Sequence, residues 1–325
     1  MEANLTFLGE EDFEAAMTGP CREWREKNVR DGEIRSFDGT ALHYYYAVPE
    51  GARAAIVLLH GFCEFYGKYH EVTWYFYRAG FAFFFLEQRG HGLSGGKLPD
   101  DPEIVYVKDY QTYVEDQHRF VDEVVRKESG GLPLLLFAHS MGGAVASLFL
   151  EEYPEVFRAA CLSSPMLRLL TGGTSPAKIS LAKLYMKLFR KGKTIAPGQK
   201  RFSPEPIFEK SSTLSRARYM YQFNQRLQNE SYRTYGGSLS WLMASFDADK
   251  KLLDNAGRIS LPVTLFTAGA DHLIDPAGYD DFCAKVPGIR RMDYPTSKHE
   301  IFNADDEVRK RYFTNLISAL EEYSR

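Results

Sequence analysis

Apolar residues occur along this chain in short runs, and segments with helical spacing separate most of them. The strand-like runs are residues 33–37, 41–48, 56–59, 81–86, 134–138, 159–163, 263–267 and 290–294. The helical segments are residues 10–17, 69–78, 109–126, 141–153, 276–286 and 305–322. Strands that alternate with helices predict right-handed crossovers and a mostly parallel α/β sheet, here of eight strands. The pair Asp38-Gly39 between the first two runs predicts an antiparallel N-terminal hairpin.

The stretch between Ser164 and about Arg258 does not follow this alternation. It has helical spacing near residues 179–189, 214–230 and 238–253, and no convincing strand. We therefore predict a core of residues 1–164 and 259–325, with residues 165–258 inserted as a helical cap. Because open α/β sheets bind ligands at the carboxyl ends of their strands, the cap is expected to lie over that edge.

The composition limits the classes of function. The chain has 325 residues, 44% of them hydrophobic and 26% charged, and its net charge is −3. These values are ordinary for a globular protein and predict no binding to nucleic acid. The charge is unevenly distributed, because residues 165–230 contain 13 Lys or Arg and only 3 Asp or Glu. A basic segment on an acidic body predicts contact with an anionic surface or ligand.

Cysteine usage and the first residues bear on the location of the protein. Cys21, Cys63, Cys161 and Cys283 have no Cys-x-x-Cys spacing, so we expect a reducing compartment and neither a disulfide framework nor a zinc site. The first residues lack a basic stretch followed by an apolar one, as a signal peptide would have. No apolar run approaches the ~18 residues of a membrane span. These patterns predict a cytoplasmic protein.

The most informative run ends at Ala138-His139-Ser140-Met141-Gly142, directly before a helical segment. A serine between small residues at a strand-to-helix turn is typical of a nucleophile elbow, which exposes the serine hydroxyl above the sheet. The usual motif is Gly-x-Ser-x-Gly, and Ala138 stands in place of its first glycine. Because any buried strand can end in Ser-x-Gly, the rest of the chain has to supply a base, an acid and an oxyanion hole.

A catalytic serine needs a histidine as base and a carboxylate that orients it, and in this fold they follow in the order Ser, Asp or Glu, His. Only His272 and His299 follow Ser140 at a distance. His299 lies just past the last strand and is the predicted base, whereas His272 adjoins the predicted acid in one loop. Asp271 directly follows a strand and is that acid. Asp275 is the alternative, and its competing role is a helix cap.

Acyl transfer also requires N–H donors for the developing oxyanion. We predict the backbone N–H of Met141, after the nucleophile, and that of Phe62, in the loop after the first buried strand. His60 in the same loop is expected to hydrogen-bond within it. His91 and His139 are expected to be structural. No phosphate-binding glycine loop or metal-ligand cluster is evident, so neither a metal nor a cofactor is expected.

Together these residues resemble α/β-hydrolases, and more narrowly the lysophospholipase L2 and monoacylglycerol lipase group. The matching segments are His60-Gly61-Phe62-Cys63-Glu64, Tyr66-Gly67-Lys68-Tyr69, Gln88-Arg89-Gly90-His91-Gly92-Leu93-Ser94-Gly95, His139-Ser140-Met141-Gly142-Gly143, Gly269-Ala270-Asp271 and His299-Glu300-Ile301. Weaker similarity to bacterial lysophospholipase L2 extends to Thr18-Gly19-Pro20 and to Tyr235-Gly236-Gly237-Ser238 with Trp241. The resemblance implies a serine hydrolase that cleaves a carboxylic ester of a single-chain acyl lipid, a small-molecule substrate.

Other functions on the same scaffold remain open. A short-chain carboxylesterase or a thioesterase would look the same in sequence. A peptidase would need acidic residues in the cap for a charged N-terminus, and the basic cap disfavours it. A binding protein without activity is disfavoured, because the chain retains a complete set of candidate catalytic residues.

The cap also contains a basic amphipathic segment, residues 181–191. The apolar residues Leu181, Leu184, Tyr185 and Leu188 recur at helical spacing. The basic residues Lys183, Lys187, Arg190 and Lys191 cluster on another face. A helix of this kind can lie at an anionic membrane surface, which would make the protein peripherally membrane-associated. The competing interpretation is a helix whose charges simply face solvent.

Overall fold

A computed structural model describes residues 5–325, and an eight-stranded sheet forms its centre. The strands are β1 (Arg30–Arg35), β2 (Ala41–Ala47), β3 (Ala55–Leu59), β4 (Ala82–Leu86), β5 (Ile104–Val105), β6 (Leu134–His139), β7 (Ala159–Ser163), β8 (Gly236–Gly237), β9 (Val263–Ala268) and β10 (Arg290–Tyr294). The central sheet contains all of these strands except β5 and β8, in the order β1-β2-β4-β3-β6-β7-β9-β10. Strand β2 pairs antiparallel with β1 and β4, and the other pairs are parallel. The predicted mostly parallel sheet with an antiparallel N-terminal hairpin is confirmed.

Helices cover both faces of this sheet. They are α1 (Phe13–Thr18), α2 (Pro20–Asn28), α3 (His70–Arg78), α4 (Gln111–Phe120), α5 (Arg126–Glu128), α6 (Met141–Glu152), α7 (Pro176–Leu188), α8 (Arg216–Gln228), α9 (Leu239–Asn255), α10 (Pro276–Lys285) and α11 (Asp306–Ser324). A π-helical turn, Val121–Val125, joins α4 to α5, so the predicted helix at 109–126 is continuous. The spacing analysis missed α2 because only Cys21 of that helix is buried, which leaves no apolar stripe in the sequence.

The central strands are apolar throughout because both of their faces are buried. In β3, Ala55, Val57 and Leu59 pack into one core cluster, while Ile56 and Leu58 pack into a second cluster on the opposite face. A parallel sheet covered by helices on both sides requires this continuous apolar pattern. The strands therefore form a rigid platform, and their carboxyl ends carry the loops that contain the candidate site residues.

The segment between β7 and β9 contains α7, α8 and α9, joined by loops, and one strand that the sequence analysis did not predict. This two-residue strand, β8, pairs in parallel with β5. Helix α9 falls within the predicted cap. It nevertheless packs against α6 and buries Leu252 in the core, so it also contributes to the packing of the core. The division into core and cap stays a prediction.

Across residues 5–325, no helix combines the length and apolarity that crossing a bilayer requires.

Candidate active site

Ser140 occupies a sharp turn between β6 and α6. Its φ of 53° and ψ of −122° lie in a region that residues other than glycine rarely adopt, at a cost of about 1–3 kcal/mol. The neighbouring glycines let α6 pass close to the sheet, because a Cβ at Gly142 would lie 2.2 Å from the carbonyl oxygen of Leu59. Ala138 is buried within β6 and packs in the core, so its methyl group is accommodated. The local geometry is that of a nucleophile elbow.

His299 and Asp271 form a buried pair at the carboxyl edge of the sheet. The Nδ1–H of His299 donates to Oδ2 of Asp271 at 2.6 Å, and the two side chains are only 3% and 4% exposed. The other carboxylate oxygen accepts the backbone N–H groups of Leu273 at 2.8 Å and Ile274 at 3.3 Å. Burial acts to raise the pKa of Asp271, but the hydrogen bond and charge of His299 outweigh it and lower that pKa. An ionised Asp271 thus holds the Nδ1 proton of His299.

The other ring nitrogen of His299, Nε2, belongs to a residue that lines the cavity of Ser140. His299 Nε2 is buried and has no hydrogen-bond partner within residues 5–325. An Nε2 lone pair left free in this way can accept the hydroxyl proton of Ser140. Such a hydrogen bond commonly tightens only when substrate binds.

The two alternatives to this pair lie elsewhere. Asp275 caps α10, where its Oδ1 accepts the backbone N–H of Ala277 at 3.0 Å. His272 is exposed and, in the part of the chain that the structure describes, does not line the cavity of Ser140. The structure therefore brings together Ser140, Asp271 and His299, and their catalytic roles remain predictions.

The predicted oxyanion donors flank Ser140. Met141 is the first residue of α6, and Phe62 lies in the loop after β3. Within residues 5–325, neither of these two backbone N–H groups donates a hydrogen bond to a backbone carbonyl of a loop or turn. The ring of Phe62 stacks on Trp241 of α9 with centroids 3.9 Å apart. This contact fixes the loop against the insertion, and the donor roles stay predictions.

Arg226 of α8 holds the same loop from the other side, a role that the sequence did not reveal. Its buried guanidinium donates to the carbonyl oxygens of Cys63 at 2.5 Å, Thr234 at 2.8 Å and Tyr232 at 2.9 Å. Cys63 has a positive φ of 57°, which is uncommon for a residue other than glycine, and the hydrogen bond from Arg226 helps to hold this backbone conformation. In the sequence, Arg226 is one of many cations in a basic segment, and no local pattern sets it apart.

A buried charge cluster lies below the site. Lys68 bridges Glu64 at 2.6 Å and Glu300 at 2.7 Å, and Glu64 also accepts the backbone N–H of Gly61 at 2.5 Å. The ring of His139 lies 5.0 Å from that of His299, and burial lowers the pKa of His139 to about 4, so it is neutral. Two carboxylates and one ammonium give the cluster a net charge of −1.

The remaining loop histidines have structural contacts. His60 Nδ1 lies 2.8 Å from the carbonyl oxygen of Gly61, and its Nε2 accepts the backbone N–H of Gln88 at 2.9 Å. His91 Nδ1 lies 3.0 Å from the carbonyl oxygen of Arg89. Burial lowers the pKa of His60 to about 4 and that of His91 to about 3, so both rings are neutral at pH 7. The expected hydrogen bond of His60 within its loop is confirmed.

The cavity at Ser140 has a volume of about 260 Å³. Side chains of α8 and of the segment before it form one wall, and these are Lys210, Ser211, Ser212, Tyr219, Gln222, Phe223 and Arg226. Aromatic rings and cations of this wall therefore line the same cavity as Ser140. The only carboxylates on the lining within residues 5–325 belong to Glu64 and Glu300. Both of these pair with Lys68.

Comparison with known proteins places this geometry in a family. The family model described as "Serine aminopeptidase, S33" matches residues 50–306. Lysophospholipase L2 of Escherichia coli strain K12 is 28% identical over 313 residues, which cover 92% of this chain and 89% of that protein. The monoacylglycerol lipase of Mycolicibacterium smegmatis is 35% identical over 136 residues, covering 42% of this chain and 46% of the relative.

Solved structures share the fold. A soluble variant of monoglyceride lipase from Saccharomyces cerevisiae superposes with a TM-score of 0.71 at 19% identity, covering 91% of this chain and 95% of that one. A thermostable carboxyl esterase from Bacillus coagulans gives a TM-score of 0.73 at 17% identity, covering 92% and 99% of the two chains. The resemblance to α/β-hydrolases is confirmed.

Proposed function

Because the chain belongs to the S33 serine aminopeptidase family and is a carboxylic ester hydrolase, we propose that it cleaves a single-chain acyl lipid at Ser140. The substrate is a lysophospholipid or a monoacylglycerol, the lipids named in its relatives. The observation that carries the proposal is the His299–Asp271 hydrogen bond, which leaves Nε2 free in the cavity of Ser140.

The reaction proceeds in two similar halves. His299 Nε2 takes the proton of the Ser140 hydroxyl, whose oxygen attacks the ester carbonyl carbon. The N–H groups of Phe62 and Met141 stabilise the resulting oxyanion, and one such donor is worth about 2.7–4 kcal/mol. His299 then returns the proton to the leaving alcohol, and the acyl group remains on Ser140. Water gives a proton to His299 and attacks the acyl carbon of this acyl-enzyme; the bond to the Ser140 oxygen then breaks, His299 returns the proton to that oxygen, and the fatty acid is released.

The cavity favours a lipid ester over a peptide. An aminopeptidase substrate brings a positive N-terminus, which requires a carboxylate that is free to bind it. Glu64 and Glu300 are both bound to Lys68, and Lys210 and Arg226 add positive charge to the lining. The family description alone therefore does not decide the substrate, and the charge around Ser140 supports an acyl ester.

A substrate panel tests this choice. We expect kcat/KM for a monoacylglycerol or a lysophosphatidylcholine to exceed that for an aminoacyl p-nitroanilide by about a thousandfold or more, because the anilide's ammonium group would lack a partner. Fatty-acid release and nitroaniline absorbance measure the two reactions. A p-nitrophenyl acetate control reports whether the preparation is active. Faster turnover of the anilide would show that the enzyme is a peptidase.

We also propose that α7 docks the protein on an anionic membrane surface. Its three leucines are exposed, with 66% of Leu181, 60% of Leu184 and 71% of Leu188 accessible to solvent. No residue of α7 is buried, so this apolar stripe does not pack on the core. Lys187 on the same helix is exposed, whereas Lys183 is ion-paired with Asp247. An exposed apolar stripe with adjacent cations fits the interface of an anionic bilayer.

Replacing the stripe should separate membrane binding from chemistry. We expect a triple variant, Leu181→Ser with Leu184→Ser and Leu188→Ser, to bind phosphatidylglycerol vesicles at least about tenfold more weakly, because each inserted leucine contributes up to about 1.5–3 kcal/mol. Hydrolysis of a soluble short-chain ester should be unchanged. Leu227→Ser, which alters an exposed leucine of α8, is the control and should bind like the parent. Equal vesicle binding in a sedimentation assay by the triple variant and the parent would rule out docking through α7.

A further inference from the structure

A second cavity, of about 800 Å³, lies on the opposite side of α8 from Ser140. Its lining includes Phe13 and Met17 of α1, Arg25 of α2, His70 at the start of α3, and Met220 and Tyr221 of α8. It shares no lining residue with the cavity of Ser140 in the part of the chain that the structure describes. Its volume is within the range of about 300–1,000 Å³ that is usual for small-molecule sites.

Arg25 carries a positive charge into this cavity without a compensating carboxylate. Its Nη1 lies 2.7 Å from His70 Nδ1 and 3.5 Å from the hydroxyl of Tyr221, and both acceptors are neutral. Burial, together with the charge of Arg25, holds the pKa of His70 well below its usual value. Within residues 5–325, no carboxylate oxygen lies within 4.0 Å of the Arg25 side-chain nitrogens. A half-buried cation without a carboxylate partner can bind an anion from outside the chain.

Four other charged side chains line the second cavity. Arg22 forms a weak pair with Glu26 at 3.9 Å. Glu10 accepts the backbone N–H of Ala217 at 2.6 Å and pairs with Arg218 at 3.3 Å. Glu14 and Arg216 form no ion pair within residues 5–325, so the unpaired charges on the lining are Arg25, Arg216 and Glu14, with a net charge of +1.

An apolar wall lies beside this cation. Phe13 and Met17 are buried in the core cluster on that face of the sheet, and the ring of Phe13 meets that of Tyr221 edge-on at 5.5 Å. Met220 adds a thioether from α8. Asn224, Gln225 and Gln228 also line the cavity, so a ligand that paired with Arg25 and covered the apolar side chains would have an anionic group at one end and an apolar chain at the other.

We propose that the second cavity binds a single-chain amphiphile with an anionic head, either a carboxylate or a phosphate. The head pairs with Arg25, and the chain lies against Phe13, Met17 and Met220. A carboxylate would come from a fatty acid, and a phosphate from a phosphorylated single-chain lipid. Because the site shares no residue with the Ser140 cavity, the proposal holds whether or not Ser140 is the nucleophile.

Calorimetric titration of the full-length protein with decanoate, decyl phosphate and decan-1-ol tests this site. We expect the anions to bind and the alcohol to bind at least about tenfold more weakly, because it cannot form a charge-assisted bond. Arg25→Gln should weaken binding of the anions by about tenfold or more, and the control Arg22→Gln by less than about twofold. Asn224→Trp places a large side chain in the cavity from an exposed position of α8. It should also weaken binding of the anions.

The outcomes separate the sources of the ligand. Tighter binding of decanoate identifies a carboxylate site, and tighter binding of decyl phosphate identifies a phosphate site. Asn224→Trp gives an answer even if Arg25→Gln is poorly folded. The proposal is overturned if decan-1-ol binds as tightly as the anions. It is also overturned if the folded Arg25→Gln and Asn224→Trp proteins bind decanoate and decyl phosphate like the parent, because these ligands would then lie elsewhere.

Discussion

Ser140→Ala is expected to lower kcat for a p-nitrophenyl ester by about 10⁴-fold or more, since removal of the nucleophile from a serine hydrolase costs up to about 10⁶-fold. The alanine keeps the Cβ and the backbone of the elbow, so the circular dichroism spectrum and Tm should change little. Labelling by a fluorophosphonate probe, which reacts only with an activated serine, should disappear. Both measurements can be made on the same purified protein.

The matched control is Ser147→Ala, about two turns further along the chain in α6. Ser147 is also buried, and its hydroxyl donates to the carbonyl oxygen of Gly143 at 2.9 Å. Its loss should cost about 0.5–1.5 kcal/mol of stability, the usual net contribution of such a hydrogen bond, and leave kcat nearly unchanged. If Ser140→Ala kept its activity and its probe labelling, the nucleophile would have to be another residue.

Asp271→Asn should lower kcat by about 10³- to 10⁴-fold while leaving the fold intact. The asparagine amide can donate to Nδ1 of His299, which favours the ring tautomer with its proton on Nε2. That tautomer cannot accept the Ser140 proton. Asp275→Asn is the control, because this residue caps α10 without contacting His299, and it should retain kcat within about threefold. Comparable losses of kcat in the two variants would show that Asp271 has no special role.

Asp271→Asn should also change how the stability of the protein depends on pH. The pKa of Asp271 is lower in the folded protein than its usual value, so the folded state binds fewer protons at this site than the unfolded chain. Its stabilising contribution is therefore present above about pH 4 and is lost as the pH falls through the folded pKa. Asp271→Asn should remove that part of the acid destabilisation, which urea unfolding between about pH 3 and pH 6 can detect.

The strands could be predicted well because their apolar runs are short, continuous and bounded by turn residues. β7 (Ala159–Ser163) and β10 (Arg290–Tyr294) have the predicted bounds. The nucleophile elbow was equally visible, since its chemistry is confined to a few adjacent residues. Local patterns of this kind depend on contacts that are close in sequence.

The parts of the site that the sequence did not reveal depend on contacts between distant segments. Arg226 reaches Cys63 across 163 positions, and Lys68 joins Glu300 across 232, so no spacing could pair them. Asp271 and Asp275 follow the same strand, and only the path of the loop determines which carboxylate meets His299. The second cavity is built from α1, α2 and α3 and from α8, which begins 138 positions after α3 ends. Helical spacing identified α7, but could not tell that its leucines face solvent.

The strained backbone of Ser140 has a consequence for the evolution of this chain. Its cost of about 1–3 kcal/mol is a noticeable share of the roughly 5–15 kcal/mol that stabilises a typical domain. Glycine at position 140 would relieve the strain, because it adopts positive φ freely. If Ser140 is the nucleophile, as proposed, a descendant released from selection for hydrolysis would gain stability by losing it. On that mechanism, selection for activity and selection for stability oppose each other at this position.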